Sequence, residues 1–232
     1  MAALIALAAA LTAALPAPVA HASRTVVVGH SVRGRPIVAH VIGATTAKRR
    51  VLVVGCVHGD ERAGEAITRS LRRRAAPRGV ALWLVDSFNP DGSAAHTRQN
   101  ADGVDLNRNA PWHWRPLGGI FDSGPRPLSE PESRAINRLV RRLHPALTIW
   151  YHQHAALVDD SAGGSRRIEA RYARLVGLPL RRFGPPTGSI TGWQNATFPR
   201  DTAFVVELPG GRLPGTAVTR HAGAVLALAR NL

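Results

Sequence analysis

Two polar residues stand three apart in "GCVHGDERAGEAI": His58 and Glu61, just after the apolar run Val51-Leu52-Val53-Val54. His152 closes a second apolar run in "IWYHQ", and Glu207 interrupts a third in "FVVELP". A carboxylate inside an otherwise apolar strand needs a partner. Two histidines and one carboxylate form a three-ligand zinc set that leaves one position open for water. A second carboxylate beside that water can serve as general base. His58 and Glu61 alone do not establish such a site, because His-x-x-Glu also arises by chance on polar loops. His154 competes with His152 as ligand, since strand faces alternate with period two.

The elements around these residues are legible. "TVVVGHS" and "PIVAHVIG" read as two strands joined by the turn Val32-Arg33-Gly34-Arg35. "RRVLVVGCV", "VALWLVDSF", "ALTIWYHQ" and "AFVVELP" are apolar without alternation, as expected of strands covered on both faces. "LPLRRF" reads as a short strand. Helical spacing runs from Glu61 to Ala75, over "RRIEARYARLV", and through the closing "TAVTRHAGAVLALARNL". A further helix opens at Ser129-Glu130-Pro131-Glu132, with Ser129 as cap and Glu132 completing a capping box. Asn89-Pro90-Asp91-Gly92 reads as a turn, and residues 94–128 and 184–200 as loops. Strands alternating with helices predict a three-layer αβα domain. The opening hairpin makes its central sheet mixed, though mostly parallel.

Length and composition fit one such domain. The chain has 232 residues, 45% of them hydrophobic, enough for a sizeable core. Residues 1–22 read as a signal peptide, with Ala20-His21-Ala22 as a small-x-small cleavage site, and 23–232 as the catalytic domain. No basic residue precedes the apolar stretch, so an uncleaved anchor and a start further upstream stay open. The expected location is secreted or in a bacterial cell envelope. No later segment has the ~20 apolar residues needed to span a bilayer.

The net charge is +15, from 30 basic and 15 acidic residues, and Lys48 is the only lysine. No nucleic-acid motif accompanies that charge, so a nucleic-acid partner is not expected. An anionic envelope or carboxylate substrates fit it better. Cys56 is the only cysteine, which excludes an internal disulfide, and its place at a strand end marks it as a small buried residue. Nothing sets an oligomeric state.

The motifs together resemble the zinc carboxypeptidase family, the carboxypeptidase A-like metallopeptidases, and most of all its small bacterial members such as murein peptide amidases. "GHSVRGRPI" resembles the family's opening hairpin, "HGDE" its first zinc motif, and "NPDG" with "RQNADGVDLNRN" its substrate-anchoring segment. "SEPES", "IWYHQ" and "FVVELP" follow in the family's order. The resemblance implies one zinc per chain on His58, Glu61 and His152, with His152 preferred over His154 because it directly follows the apolar-aromatic pair. It implies that Glu207 is the general base, that Arg98 steadies the oxyanion, and that Asn107 and Arg108 hold the substrate's terminal carboxylate. Asp105 is assigned to holding the turn. The partner implied is a peptide with a free C-terminal carboxylate, including a murein stem peptide cut at the γ-D-glutamyl–diaminopimelate bond. Many members carry a tyrosine before the catalytic glutamate. None lies between Gly184 and Thr202, and Trp193, which does, receives no catalytic role. Two alternatives remain: a zinc-dependent deacylase of N-acyl amino acids resembling aspartoacylase, and a non-catalytic binding module on the same fold.

Overall fold

The computed structural model describes residues 23–232; the expected signal peptide lies outside them. Among the described residues seven strands form one sheet. They are β1 (Ser23–His30), β2 (Pro36–Ile42), β3 (Arg49–Val54), β4 (Val80–Val85), β5 (Leu147–Asp159), β6 (Leu180–Arg181) and β7 (Thr202–Pro209). β1, β2 and β4 pair antiparallel in that order, β4 then pairs parallel with β3, and β3 with β5. β4 is buried at every position, which explains its unbroken apolar run.

β5 does more than the single short strand expected. Its first arm pairs with β7 from Leu147 opposite Thr202 to His154 opposite Pro209. The register then runs back, with Leu157 opposite Glu207 and Val158 opposite Val206. Glu207 thus pairs with both arms, so β7 lies between them, and the second arm also carries β6.

Alternate sheet residues feed two cores. On one face, Val51, Val53, Ile149, Phe204 and Val206 pack against α1 (Gly64–Leu71), α4 (Arg166–Val176) and α6 (Gly215–Ala229). On the other, Leu52, Val54, Trp83 and Trp150 pack against α3 (Pro131–Leu143) and α5 (Ile190–Thr197). This is the three-layer αβα architecture with a mixed sheet.

Several local expectations change. The first helix begins at Gly64, not Glu61, because the Glu61 N–H bonds the His58 carbonyl at 3.0 Å in a turn. Asn89 is the N-cap of a short helix, α2 (Pro90–Ala95), accepting from the Gly92 N–H at 2.9 Å. Asn-Pro serves a helix start as well as a turn. The capping box of α3 does not form: with Pro131 first in the helix, Glu132 falls one place early. Its carboxylate instead accepts from the Val32 N–H at 3.0 Å, while the Ser129 hydroxyl donates to Glu130 at 2.7 Å. The expected loop 184–200 contains α5, capped by the Ser189 hydroxyl, which accepts from the Gly192 N–H.

Candidate active site

The site lies where the sheet's strands end and their loops begin, the usual ligand position in open α/β sheets. The loops after β3 and β4 are tied by the Phe88 N–H bonding the Cys56 carbonyl at 3.0 Å. Gly59 lies so close to the Gly92 backbone that a Cβ would not fit. This close approach presents His58 to the pocket, and the turn to Glu61 brings that carboxylate alongside.

Three groups converge. His58 Nδ1 is 2.9 Å from Glu61 Oε1, His152 Nδ1 is 3.0 Å from Glu61 Oε2, and the two Nδ1 atoms are 3.2 Å apart. All three residues are buried, and their ligand atoms lie within 4.8 Å of one another. Two imidazole nitrogens and one carboxylate oxygen, face to face, fit a zinc ion. His58 turns its Nε2 toward Asp105 Oδ1 at 3.1 Å. That contact leaves Nδ1 as the ligand atom and supplies the orienting carboxylate common behind metal-bound histidines. His154 is exposed and stands outside the group.

The electrostatics match. Burial works against the charge on Glu61, yet the hydrogen bonds and charges of His152 and His58 hold its carboxyl far below the usual range. Burial likewise opposes the charge on Asp105, but His58, Arg98 and Arg108 hold its carboxyl low. Burial pushes the Cys56 thiol up to about 12, which keeps it a small neutral core residue.

The other expected residues share the pocket, a cavity of about 290 Å³ lined by His58, Glu61, His152, Arg98, Asn107, Arg108 and Glu207. Glu207 stands beside His152 in the β5–β7 register. Arg98 donates through Nε and Nη2 to Asp105 at 2.9 and 2.8 Å, and through Nη1 to Glu61 at 3.2 Å. Asn107 accepts from the Ile190 N–H at 3.1 Å, leaving its amide NH₂ to the pocket. Gly188 takes φ +68° and lies directly against the Arg108 carbonyl, so the loop after α2 packs onto the start of α5. Arg108 is lowered from the usual guanidinium range, first by burial and then by Arg98. Phe121 joins the site unforeseen, its ring centroid 5.2 Å from both guanidinium carbons. Asp105 goes beyond its expected turn: it accepts from the Asn107 N–H at 2.8 Å, but also carries His58 and Arg98. Trp193 packs into the second core.

Fold and site together are those of the zinc carboxypeptidase family. The profile of that family, "Zinc carboxypeptidase", matches residues 9–159, more than half of the chain, and the chain belongs to the family. Among its relatives, murein peptide amidase A of Escherichia coli (strain K12) is 30% identical over 146 residues, 57% of this chain and 60% of that protein. The Vibrio campbellii (strain ATCC BAA-1116) murein peptide amidase A is 31% identical over 148 residues, 58% of this chain and 59% of that one. The chain thus spans about three fifths of the length of these curated relatives. The crystal structure of the murein-tripeptide amidase of Escherichia coli O157 matches with a TM-score of 0.74 at 26% identity, over 91% of this chain and 94% of that one. Carboxypeptidase A of Helicoverpa armigera, at 17% identity and TM-score 0.74 over 90% of this chain and 69% of its own, shares the fold.

Proposed function

We propose that this chain is a zinc-dependent peptidase that releases the C-terminal residue of a peptide. Its proposed substrate is a murein stem peptide cut at the γ-D-glutamyl–diaminopimelate bond, and its proposed place is the bacterial cell envelope, after export. The observation that carries the reading is one pocket holding a zinc-type triad, an adjacent carboxylate, and two arginines with a free amide. The names of the murein amidase relatives support the substrate.

One zinc per chain would be held by His58 Nδ1, Glu61 and His152 Nδ1. When bound, zinc polarises a carbonyl and lowers the pKa of water to about 7. Glu207 takes the proton of the attacking water and delivers it to the departing amine, a role worth typically ~10²–10⁴ in rate. Arg98 has three of its five N–H groups on Asp105 and Glu61, and those that remain face the developing oxyanion. Arg108 and the Asn107 amide receive the terminal carboxylate. Arg108 gives one N–H to the Asn107 carbonyl and keeps others of its guanidinium fork for an incoming carboxylate, which makes the pocket selective for a free acid.

The test compares a peptide acid with its C-terminal amide. The acid is favoured by at least ~100-fold in kcat/KM, as expected from losing about 3 kcal/mol of charge-assisted hydrogen bonding. Equal turnover would replace this reading with an endopeptidase or deacylase.

A further inference from the structure

We infer that the groove between α1 and the start of α6 is a second binding site, which takes a linear polyanion with carboxylates or phosphates recurring along its chain. The groove holds about 780 Å³, against about 290 Å³ for the active-site pocket. Arg62, Arg69 and Arg73 line one side of it, and Arg212, in the segment between β7 and α6, lines the other. Arg73 stands four residues after Arg69, and Arg62 seven before it, so the helical period puts all three on one face. That stripe spans roughly 15 Å at ~1.5 Å per residue. Leu213 and Val218 add apolar wall between the two sides.

The acids of the groove do not neutralise these arginines. Asp60 and Glu65 line it against four guanidinium groups. Glu65 is buried and serves two of the four: its oxygens accept from Arg62 at 2.8 and 3.1 Å, and Oε2 also from Arg69 at 3.0 Å. One carboxylate beneath two guanidiniums holds both in place and leaves a positive charge over. Among the described residues the side chains of Arg73 and Arg212 form no ion pair and donate no hydrogen bond. A cleft lined by one sign of charge concentrates the opposite sign, and an Arg fork matches two oxygens of a carboxylate or phosphate. The guanidiniums are strung along a trough rather than gathered at a point. A small anion meets one or two of them, whereas a chain meets all four, and a trough suits a chain better than a flat membrane surface.

Gln153 joins this groove to the active site, since it lines both cavities. Its side chain is fixed at both ends: Oε1 accepts from the Ala63 N–H at 2.9 Å, and Nε2 donates to the Pro209 and Gly211 carbonyls, each at 2.9 Å. It thereby ties the start of α1 to the segment after β7 and keeps the two sides of the groove at a set width. A chain in the groove lies beside the catalytic pocket without entering it. None of its four arginines is assigned to zinc, proton transfer or carboxylate recognition, so the inference does not depend on the peptidase reading. Under the proposed export, an anionic polymer of the envelope is a partner of the right chemistry, and it would hold the protein where its peptides are made and broken.

The experiment titrates the zinc-loaded protein with polyphosphate, poly-L-glutamate and neutral dextran by calorimetry at low salt, and measures its co-sedimentation with phosphatidylglycerol vesicles. One or both polyanions bind, dextran does not, and added salt weakens the binding. Binding of polyphosphate alone identifies a phosphate-bearing chain, and of polyglutamate alone a carboxylate-bearing one. Arg73→Gln with Arg212→Gln weakens polymer binding about tenfold, the size of two exposed charge-assisted contacts. Arg167→Gln with Arg174→Gln removes the same charge from the exposed side of α4 and changes binding by less than about twofold. Both double variants keep wild-type urea unfolding, because all four side chains are exposed. Equal losses from the two would assign the binding to net charge alone and overturn the groove. Unchanged binding in the groove variant, no polyanion binding at all, or tighter binding to the vesicles than to either polymer would overturn it as well.

Discussion

Replacing Asp105 with Asn should weaken zinc binding although Asp105 touches no metal. Its carboxylate is fully buried and receives four donors: His58 Nε2, Arg98 Nε, Arg98 Nη2 and the Asn107 N–H, at 2.8–3.1 Å. Asn keeps one acceptor oxygen and puts an NH₂ in place of the other. If the oxygen stays on His58 and Asn107, the NH₂ meets two Arg98 donors head-on. If the amide flips, the NH₂ meets His58 Nε2. That nitrogen must then give up its proton, and the proton moves to Nδ1, the atom needed for zinc. The first arrangement is better, and it releases Arg98 while removing the negative charge behind His58. Loss of such an orienting carboxylate costs ~10–100-fold in metal affinity. Arg98 retains Glu61 and is partly exposed, so the stability loss is about 2 kcal/mol rather than the ~3–5 typical of a broken buried pair. Zinc dissociation constants come from competition with a chromophoric chelator, and stability from urea unfolding. A folded Asp105→Asn protein with wild-type zinc affinity would refute the assignment of His58 Nδ1 as a ligand oriented by Asp105.

Arg108→Ala should reduce kcat/KM on the peptide acid by about 100-fold but barely change it on the amide, because both changes remove one interaction. Equal losses on the two would place Arg108 outside carboxylate recognition. A separate effect concerns stability in acid. His221 is buried against the Tyr172 hydroxyl, and burial first, then Arg220, lowers it to about 4. The unfolded chain takes that proton near pH 6.5 and the folded one only near pH 4, so stability is full above 6.5 and falls as pH drops between them. The loss reaches about 3 kcal/mol at pH 4. His221→Phe should flatten that part of the urea-unfolding profile, and an unchanged slope would remove His221 as its cause.

The strands were legible because apolar runs mark buried β-structure, and His58, His152 and Glu207 because polar groups at strand ends are conspicuous against them. The neighbours of Asp105 in "GVDLNRN" point to a turn, which it does form. Its bond to His58 joins residues 47 apart and leaves no local trace. The reversal of β5 was equally hidden: Leu157-Val158 reads as more apolar strand, so nothing marked Asp159 as a pocket residue. α5 has only eight residues with a glycine among them, too few for a helical period to show. Glu132 was misplaced by one position, because Pro131 starts its helix later than the capping pattern implies.

Bound zinc and turnover, measured on one preparation of Glu207→Gln beside the wild type, separate metal binding from proton transfer. Gln fills nearly the same space as Glu207 but cannot take the proton of water. Both proteins should hold one equivalent of zinc, and kcat should fall at least ~100-fold in the variant. A variant within about tenfold of wild-type activity, or a wild-type protein that acts on peptides without zinc, would contradict these roles of Glu207 and zinc.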